Sequence, residues 1–528
     1  MLSVQDLAQA AADLAATRSR ADKVGRLAQL LRGADAADIG TAARWCTGEA
    51  ASHSLGIGPA QVRAALATPA ATRPSLTLAQ ATAQLYAVAG ISGSGAKARR
   101  AETLAALFAQ ATDAEQRYLA RLLLGELRQG ALESLVLDAV AAAFDIPVGC
   151  VRRAQMLRGD VAEVAGIART EGRPGLDALR LQLFRPVLPM LAQPAADLDA
   201  ALTQLPRPIL EYKLDGARVQ IHKQGDSVQV YSRQGNAVTA AVPELVDAVA
   251  ALPARELVLD GETLAVAADG RPLPFQTTMR RFGRHSDDAT LRAALPLRVF
   301  CFDCLAIEGE TLIDAPTHRR HAALTEALPP ALVIPRLAAP TPAAAAAFLQ
   351  AALDAGHEGL MAKDPAAPYA AGGRGSHWLK IKQAHTLDLV VLAAEWGSGR
   401  RSGRLSNLHL GCRDGAGGYL MLGKTFKGLT DKLLDWQTQA LLEREIGRDG
   451  PVVHVRPELV VEIAFNELQQ SRQYPAGLAL RFARVRGYRR DKSAAEADHI
   501  DSVRALFARQ LAYREAADDT PLSAAAGA

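Results

Sequence analysis

Five prolines at positions 186, 189, 194, 206 and 208 divide the chain into two parts with different hydrophobic periods. Each proline fixes φ and withdraws an amide donor, so the segment reads as a linker. Before it, residues 1 to about 185 repeat apolar side chains at helical spacing. Thr112-Asp113-Ala114-Glu115 matches a capping box and precedes Tyr118, Leu119, Leu122, Leu123 and Leu127 at that spacing. Ala-rich stretches at 77–89, 101–111 and 131–144 continue the theme. After the prolines, alternating or apolar runs bounded by glycine predict strands. The contrast predicts an all-α domain over 1–190 and an α+β domain with antiparallel sheets over 200–385. Short strands at 387–394, 405–412, 418–425 and 452–465 predict a C-terminal β-barrel of the OB-fold type over 386–515. An amphipathic helix is expected at about 498–515, and residues 516–528 read as a disordered tail.

The chemistry concentrates just past the linker, in Glu211-Tyr212-Lys213-Leu214-Asp215-Gly216-Ala217-Arg218. A strand over 208–214 breaks at Gly216 and resumes with Ala217, Val219 and Ile221 facing one way and Arg218, Gln220 and His222 the other. A lysine at a strand end, two residues before Asp215, is suited to covalent work: its amine can take up a nucleotidyl group as a phosphoramidate. Leu257-Val258-Leu259-Asp260-Gly261-Glu262 is an apolar strand ending in an acid, and Phe302-Asp303 lies inside another strand at 297–305. Gly356-His357-Glu358-Gly359-Leu360-Met361-Ala362-Lys363 leads to a glycine-rich loop at 372–375, and Trp378-Leu379-Lys380-Ile381-Lys382 closes the region.

Composition removes several alternatives. The hydrophobic fraction of 49% with 22% charged residues indicates a globular chain, and 528 residues suit about three domains. A net charge of +4 is weak, so nucleic-acid binding must come from clustered cations. Gly93-Ser94-Gly95 before Lys97, Arg99 and Arg100, and Arg128-Gln129-Gly130 at a helix end, are such clusters on glycine-opened backbone. Of the five cysteines only Cys301 and Cys304 have C-x-x-C spacing. No second pair completes a zinc site, so both are expected to be buried thiols. Charged residues at 6, 13, 18 and 20 interrupt any apolar h-region, and no run approaches the ~20 apolar residues of a membrane span, so a cytoplasmic protein without membrane contact is expected. The stretch 418–425 satisfies the G-x4-G-K-[ST] pattern, but its bulky apolar centre suits a strand rather than a phosphate loop.

Taken in order, Glu211 to Gly216, Ser232-Arg233, Asp260 to Glu262, Phe302-Asp303, Glu358 to Lys363, Trp378 to Lys382 and Arg481-Phe482 through Asp491-Lys492 resemble the covalent nucleotidyltransferases, specifically the ATP-dependent DNA ligases. The helical first part, notably Glu126-Leu127-Arg128-Gln129-Gly130-Ala131, is similar to the N-terminal DNA-binding domain of the larger members, so the likeness covers nearly the whole chain.

The resemblance implies a helical DNA-binding domain, a nucleotidyltransferase domain and an OB-fold. The substrates it implies are ATP, with Mg²⁺, and nicked double-stranded DNA, and the acting form a monomer. Lys213 would be the adenylated nucleophile, Glu211 would contact adenine and Phe302 would stack on it. Arg218 and Arg233 would hold ribose and phosphate, and Glu262 and Glu358 would position Mg²⁺. Lys363, Arg374, Lys380 and Lys382 would neutralise the triphosphate. Arg481, Arg484, Asp491 and Lys492 would orient pyrophosphate during lysine adenylation, while Arg99, Arg100, Arg128, Gln129 and Gly130 would contact DNA. Ala483 stands where the family usually has proline and Gly487 where arginine is common, and Arg486 is the candidate replacement for that charge. On the same core, a GTP-using capping-type transferase or an RNA ligase is the nearest alternative, and a non-catalytic nick-binding clamp the alternative from another class. The cysteine set cannot form the zinc module of NAD-dependent ligases.

Overall fold

The computed structural model describes residues 1–508 except 52–54, 128–131, 268–269, 274, 283–288, 372–375 and 383–384. Helices account for the chain from Val4 to Asp177, as the period predicts. The expected capping box is present: Thr112 N donates to Glu115 Oε2 at 2.7 Å and Glu115 N donates to Thr112 Oγ1 at 3.4 Å. That helix, Asp113–Leu123, ends before the expected Leu127, because Gly125 takes a φ of 66° that turns the chain out of the helix. Leu127 is buried from the segment beyond.

The first part of the proline segment read as a linker is packed, with Val187 and Met190 buried. Gln193–Pro194 pairs in parallel with Trp378–Lys382 at the edge of a five-stranded sheet, where a proline costs no ladder bond. The sheet continues through Gly359–Lys363 and Ile209–Lys213 to Arg336–Ala338. Its far face sends Leu210, Leu360, Ala362, Leu379 and Ile381 against Ala201, Ala345 and Ala352 of the helices Leu198–Gln204 and Pro342–Asp354. A second five-stranded sheet runs in the order Ser227–Ser232, Ala217–Gln224, Glu256–Ala265, Leu297–Ile307, Glu310–Thr311, all antiparallel. Val219, Ile221, Leu257, Leu259 and Val299 form the core on one face. The opposite face of Ala217–Gln224, which carries Arg218, Gln220 and His222, is also covered. Phe184 N donates to His222 Nδ1 at 2.9 Å, Val187 N to Gln220 Oε1 at 2.8 Å, and Arg218 Nη1 to Met190 O at 2.6 Å. The proline segment covers it.

The C-terminal part is sheet-rich. His385–Trp396 pairs with Leu405–Arg413, Val452–Val455 and Val460–Phe465, and Leu405–Arg413 pairs with Tyr419–Thr425. The expected strand 452–465 is two strands separated at 456–459, and a helix that the sequence reading did not foresee, Asp431–Leu442, intervenes. Its Leu434 and Leu441 are buried, but Ala, Gln and Thr fill much of its inner side, which blurs the apolar period. Tyr419–Thr425 is a strand, as the rejection of a phosphate loop requires. The last expected helix is described over 500–508, and the tail lies outside the described residues. Cys301 and Cys304 are free, buried thiols that burial pushes up, Cys304 to about 12. No helix among the described residues is long and apolar enough to cross a membrane.

Candidate active site

The two sheets enclose a cavity of about 480 Å³. Its floor follows from strand alternation. Glu211 and Lys213 leave one face of their strand while Leu210 and Tyr212 leave the other. Register then adds neighbours: Lys213 lies opposite Gly359, Glu211 opposite Met361 and Ile209 opposite Lys363. Trp378, Lys380 and Lys382 in turn face Lys363, Met361 and Gly359. Two glycines are required by close approach. A Cβ on Gly216 would overlap the Thr263 carbonyl oxygen, and one on Gly359, at φ 139°, would overlap that of Ile381.

The opposite wall comes from the second sheet. Arg218 and Glu262 are cross-strand partners. Asp260 pairs with Asp303 and Gly261 with Cys301, so Phe302 is the extra residue of a β-bulge. A bulge re-aims the side chain it carries and leaves that residue outside the ladder. The Phe302 ring lines the cavity, edge-on to Trp378 with centroids 6.0 Å apart. Its carbonyl accepts from Lys363 Nζ at 3.0 Å and stands 3.1 Å from His321 Nε2.

Charge is distributed unevenly along the cleft. Lys213 forms an ion pair with Glu358 rather than with Asp215, and Lys382 reaches the same carboxylate at 2.7 Å. Burial would raise the Glu358 carboxyl, but Lys213 and Lys382 hold it below its ordinary value. Burial pushes Glu262 up to about 7, with Lys213 and Arg218 pulling the other way. Glu211 is 1% exposed; burial opposes its charge, yet Lys363 and His321 keep it lowered. Lys363 Nζ lies 2.7 Å from Glu211 Oε2 and sits over the Phe302 and Trp378 rings at 4.7 and 4.4 Å. Among the described residues no three His, Cys, Asp or Glu side chains converge on one point.

The cleft thus gathers Glu211, Lys213, Arg218, Arg233, Glu262, Phe302, Lys363 and Lys380, with Glu358 paired to Lys213 and Lys382 paired to Glu358. Two of these side chains are already engaged within the protein. Lys363 is 1% exposed and paired with Glu211, and four strand residues, about 13 Å, separate its register position from that of Lys213. Arg218 donates twice to Asp260, and also to Tyr369 Oη and Met190 O, which leaves at most one of its five N–H groups for a ligand. Arg233 is exposed at the rim. Arg374, Arg128, Gln129 and Gly130 lie outside the described residues. Arg99 donates to Ser92 O and Ser94 O and Arg100 to Ile91 O, so both guanidiniums bond to the backbone of their own loop.

The basic motif does not line the cleft. Arg481 sits over the exposed Phe482 ring at 5.0 Å, Arg484 begins the strand Arg484–Tyr488, and Asp491 pairs with Arg489. Lys492 and Arg489 both bind Asp388, at 2.6 and 2.9 Å. Glu462 pairs with Gly487 and Ile463 with Val485, which makes Arg486 a bulge residue, 3.8 Å from Glu462. The bulge removes the strict reversal of facing that a one-residue shift would impose. Sequence reasoning missed Tyr369, which donates to Asp260 at 2.7 Å, and His321. Neither carries a local signal, because each acts across strands far apart in the chain.

Family models match three segments: "DNA ligase N terminus" over 61–141, "ATP dependent DNA ligase domain" over 189–382 and "ATP dependent DNA ligase C terminal region" over 401–492. The chain is 55% identical over 514 residues to a "Probable DNA ligase" of Anaeromyxobacter sp. (strain Fw109-5), covering 97% of this chain and 99% of that one. It is 54% identical to a "Probable DNA ligase" of Sorangium cellulosum (strain So ce56), covering 96% of each. Its fold is similar to that of a solved chain described as "Pmar-Lig_Pre.", with a TM-score of 0.56 at 19% identity, over 92% of this chain and 99% of that one.

Proposed function

The chain belongs to the ATP-dependent DNA ligase family, and from that membership we propose how its cleft performs the reaction. The protein joins DNA strands at the expense of ATP. Lys213 is the nucleophile. Its amine, having lost a proton, attacks the α-phosphorus of ATP; an N–P bond forms as the bond to pyrophosphate breaks. The AMP passes to the 5′-phosphate of a nick, which frees the amine. The 3′-hydroxyl oxygen then attacks that phosphorus, the phosphodiester forms and AMP leaves.

One observation carries this reading: a lysine tied to Glu358 stands on the same strand face as Glu211, which is held ionised beside the Phe302 ring. An ionised carboxylate only accepts hydrogen bonds, and each Glu211 oxygen, one 3.0 Å from His321 Nε2 and the other 2.7 Å from Lys363 Nζ, keeps a lone pair for a further donor. That site suits the 6-amino group of adenine and repels the 6-oxygen of guanine, which favours ATP over GTP. Phe302 offers a face for stacking. Arg233 and, through its remaining N–H, Arg218 hold ribose and phosphate, while Lys380 and Lys382 offset triphosphate charge together with Arg374.

Two carboxylates beside the nucleophile, with no cluster of three such ligands among the described residues, fit Mg²⁺, which is bound through one or two carboxylates. Glu262 and Glu358 would hold it, and the chemistry it would supply is neutralisation of phosphate charge. The helical domain, 1–190, would hold the backbone of nicked duplex DNA. The nucleotidyltransferase domain, 200–385, carries the cleft. The C-terminal domain, 386–515, forms an OB-fold that closes over the cleft to deliver Arg481, Arg484, Asp491 and Lys492 during adenylation. The acting form is a cytoplasmic monomer. Lys213→Ala is expected to abolish the covalent adduct formed with α-labelled ATP; a labelled variant would place the nucleophile elsewhere.

A further inference from the structure

Beneath the base end of the cleft lies a group that the reaction as described does not use. His321, 3% exposed, is carried by the helix Thr317–Ala327. Its Nε2 stands 3.1 Å from the Phe302 carbonyl oxygen and 3.0 Å from Glu211 Oε1. The residue before it, Arg320, is wholly buried and clasps Asp303 through Nε at 2.7 Å and Nη2 at 3.0 Å. Two successive helix residues therefore hold two successive strand residues, at the place where the β-bulge leaves the Phe302 backbone outside the ladder. A bulged carbonyl must find a side-chain donor, and Lys363 and His321 supply two from different elements. Both also contact Glu211, on separate oxygens.

We propose that His321 is a positioning residue for base selection: by bridging Glu211 and the Phe302 backbone it sets the separation between the carboxylate that reads the base edge and the ring that stacks on its face. This rests on the adenylation reading above. Lys363 alone would leave Glu211 held by one oxygen, free to swing about that contact, and the Phe302 bulge held from one side. Loss of His321 therefore loosens the slot without touching Lys213 or its pairing with Glu358. The consequence falls on nucleotide affinity and choice, not on the rate of phosphoryl transfer at saturation.

The full chain is assayed for lysine adenylation with ATP and with ITP, which carries a 6-oxygen in place of the 6-amino group. His321→Ala is expected to raise KM for ATP about tenfold, the loss for one contact to a charged group, and to cut the ATP:ITP preference by a similar factor. The saturating rate should stay within about threefold. His321→Gln, whose amide nitrogen occupies the place of Nε2, is expected to restore both. Should the Ala variant not fold, His321→Asn takes its part, since its shorter amide falls back to the place of Nδ1. Unchanged KM and preference in the variant lacking the Nε2 donor would overturn the proposal, as would a Gln variant that restores neither. A wild-type chain that ATP does not label at all would overturn the ligase reading instead.

Discussion

Arg320 and Asp303 have no exposed side-chain surface, and their fork-to-fork contact fixes the strand on which the Phe302 bulge sits. A buried pair of this kind is costly to break, because the surviving charge is stranded in a low-dielectric interior. Arg320→Ala should therefore lower unfolding stability by about 3–5 kcal/mol in urea titrations. Arg320→Lys should recover little of it, since an ammonium cannot donate along two parallel directions. Gly216 shows the complementary case, in which a side chain is excluded rather than demanded. Any Cβ there would meet the Thr263 carbonyl, so the turn after Lys213 tolerates only glycine. That position was legible in the sequence as a strand-breaking glycine beside a lysine. The pairing of Arg320 with Asp303 was not, because seventeen residues and a helix–strand crossing separate them.

Among the elements, the strand Ala217–Gln224 and the proline segment form a clamp centred on His222. Its Nδ1 accepts from Phe184 N, its Nε2 faces Gln220 Oε1 at 3.0 Å, and its ring lies 5.2 Å from Tyr231. Phe184 itself takes a left-handed φ of 63°, a strained choice for a non-glycine residue that these contacts and the Tyr231 hydroxyl bond to Phe184 O hold in place. Burial lowers His222 from 6.5 to about 4. The unfolded chain thus binds a proton between those values that the folded chain refuses, so stability is full above the unfolded value and falls as pH drops toward the folded one. The loss on acidification from pH 7.5 to 4 should be on the order of 2–3 kcal/mol from this residue. His222→Asn, which keeps an acceptor near Nδ1 but does not titrate, should flatten thermal stability over that range; an unchanged slope would assign the acid sensitivity to other groups. Alternation correctly separated the two faces of this strand. Only the packing of the proline segment decided that the polar face would also be buried.

Across the whole molecule, the helical part is joined to the cleft by direct contact. Arg153 forks onto Asp314 at 2.6–3.2 Å, and Ala371 N donates to Met156 Sδ at 3.3 Å. One apolar cluster runs from the helices through Val187 and Met190 to Phe302, Tyr369 and Trp378. A duplex held by the helical part would therefore be held in register with the nucleotide site. Because such a grip works through phosphates, affinity for nicked duplex should vary little with sequence. It should fall about tenfold or more between 50 and 200 mM salt, read by fluorescence anisotropy as a straight line of log affinity against log salt. A salt-independent affinity would count against a backbone grip. What the sequence by itself determined was periodic and local: helices before the prolines, strands after them, and a lysine, its glycine and two acids whose chemistry needs no partner to be read. The tertiary structure alone decided the β-bulge that turns Phe302 into the cleft, the withdrawal of Lys363 to pair with Glu211, and the place of His321 beneath both. Each depends on which distant strands come to lie side by side, and in what register, and no local pattern of residues encodes that.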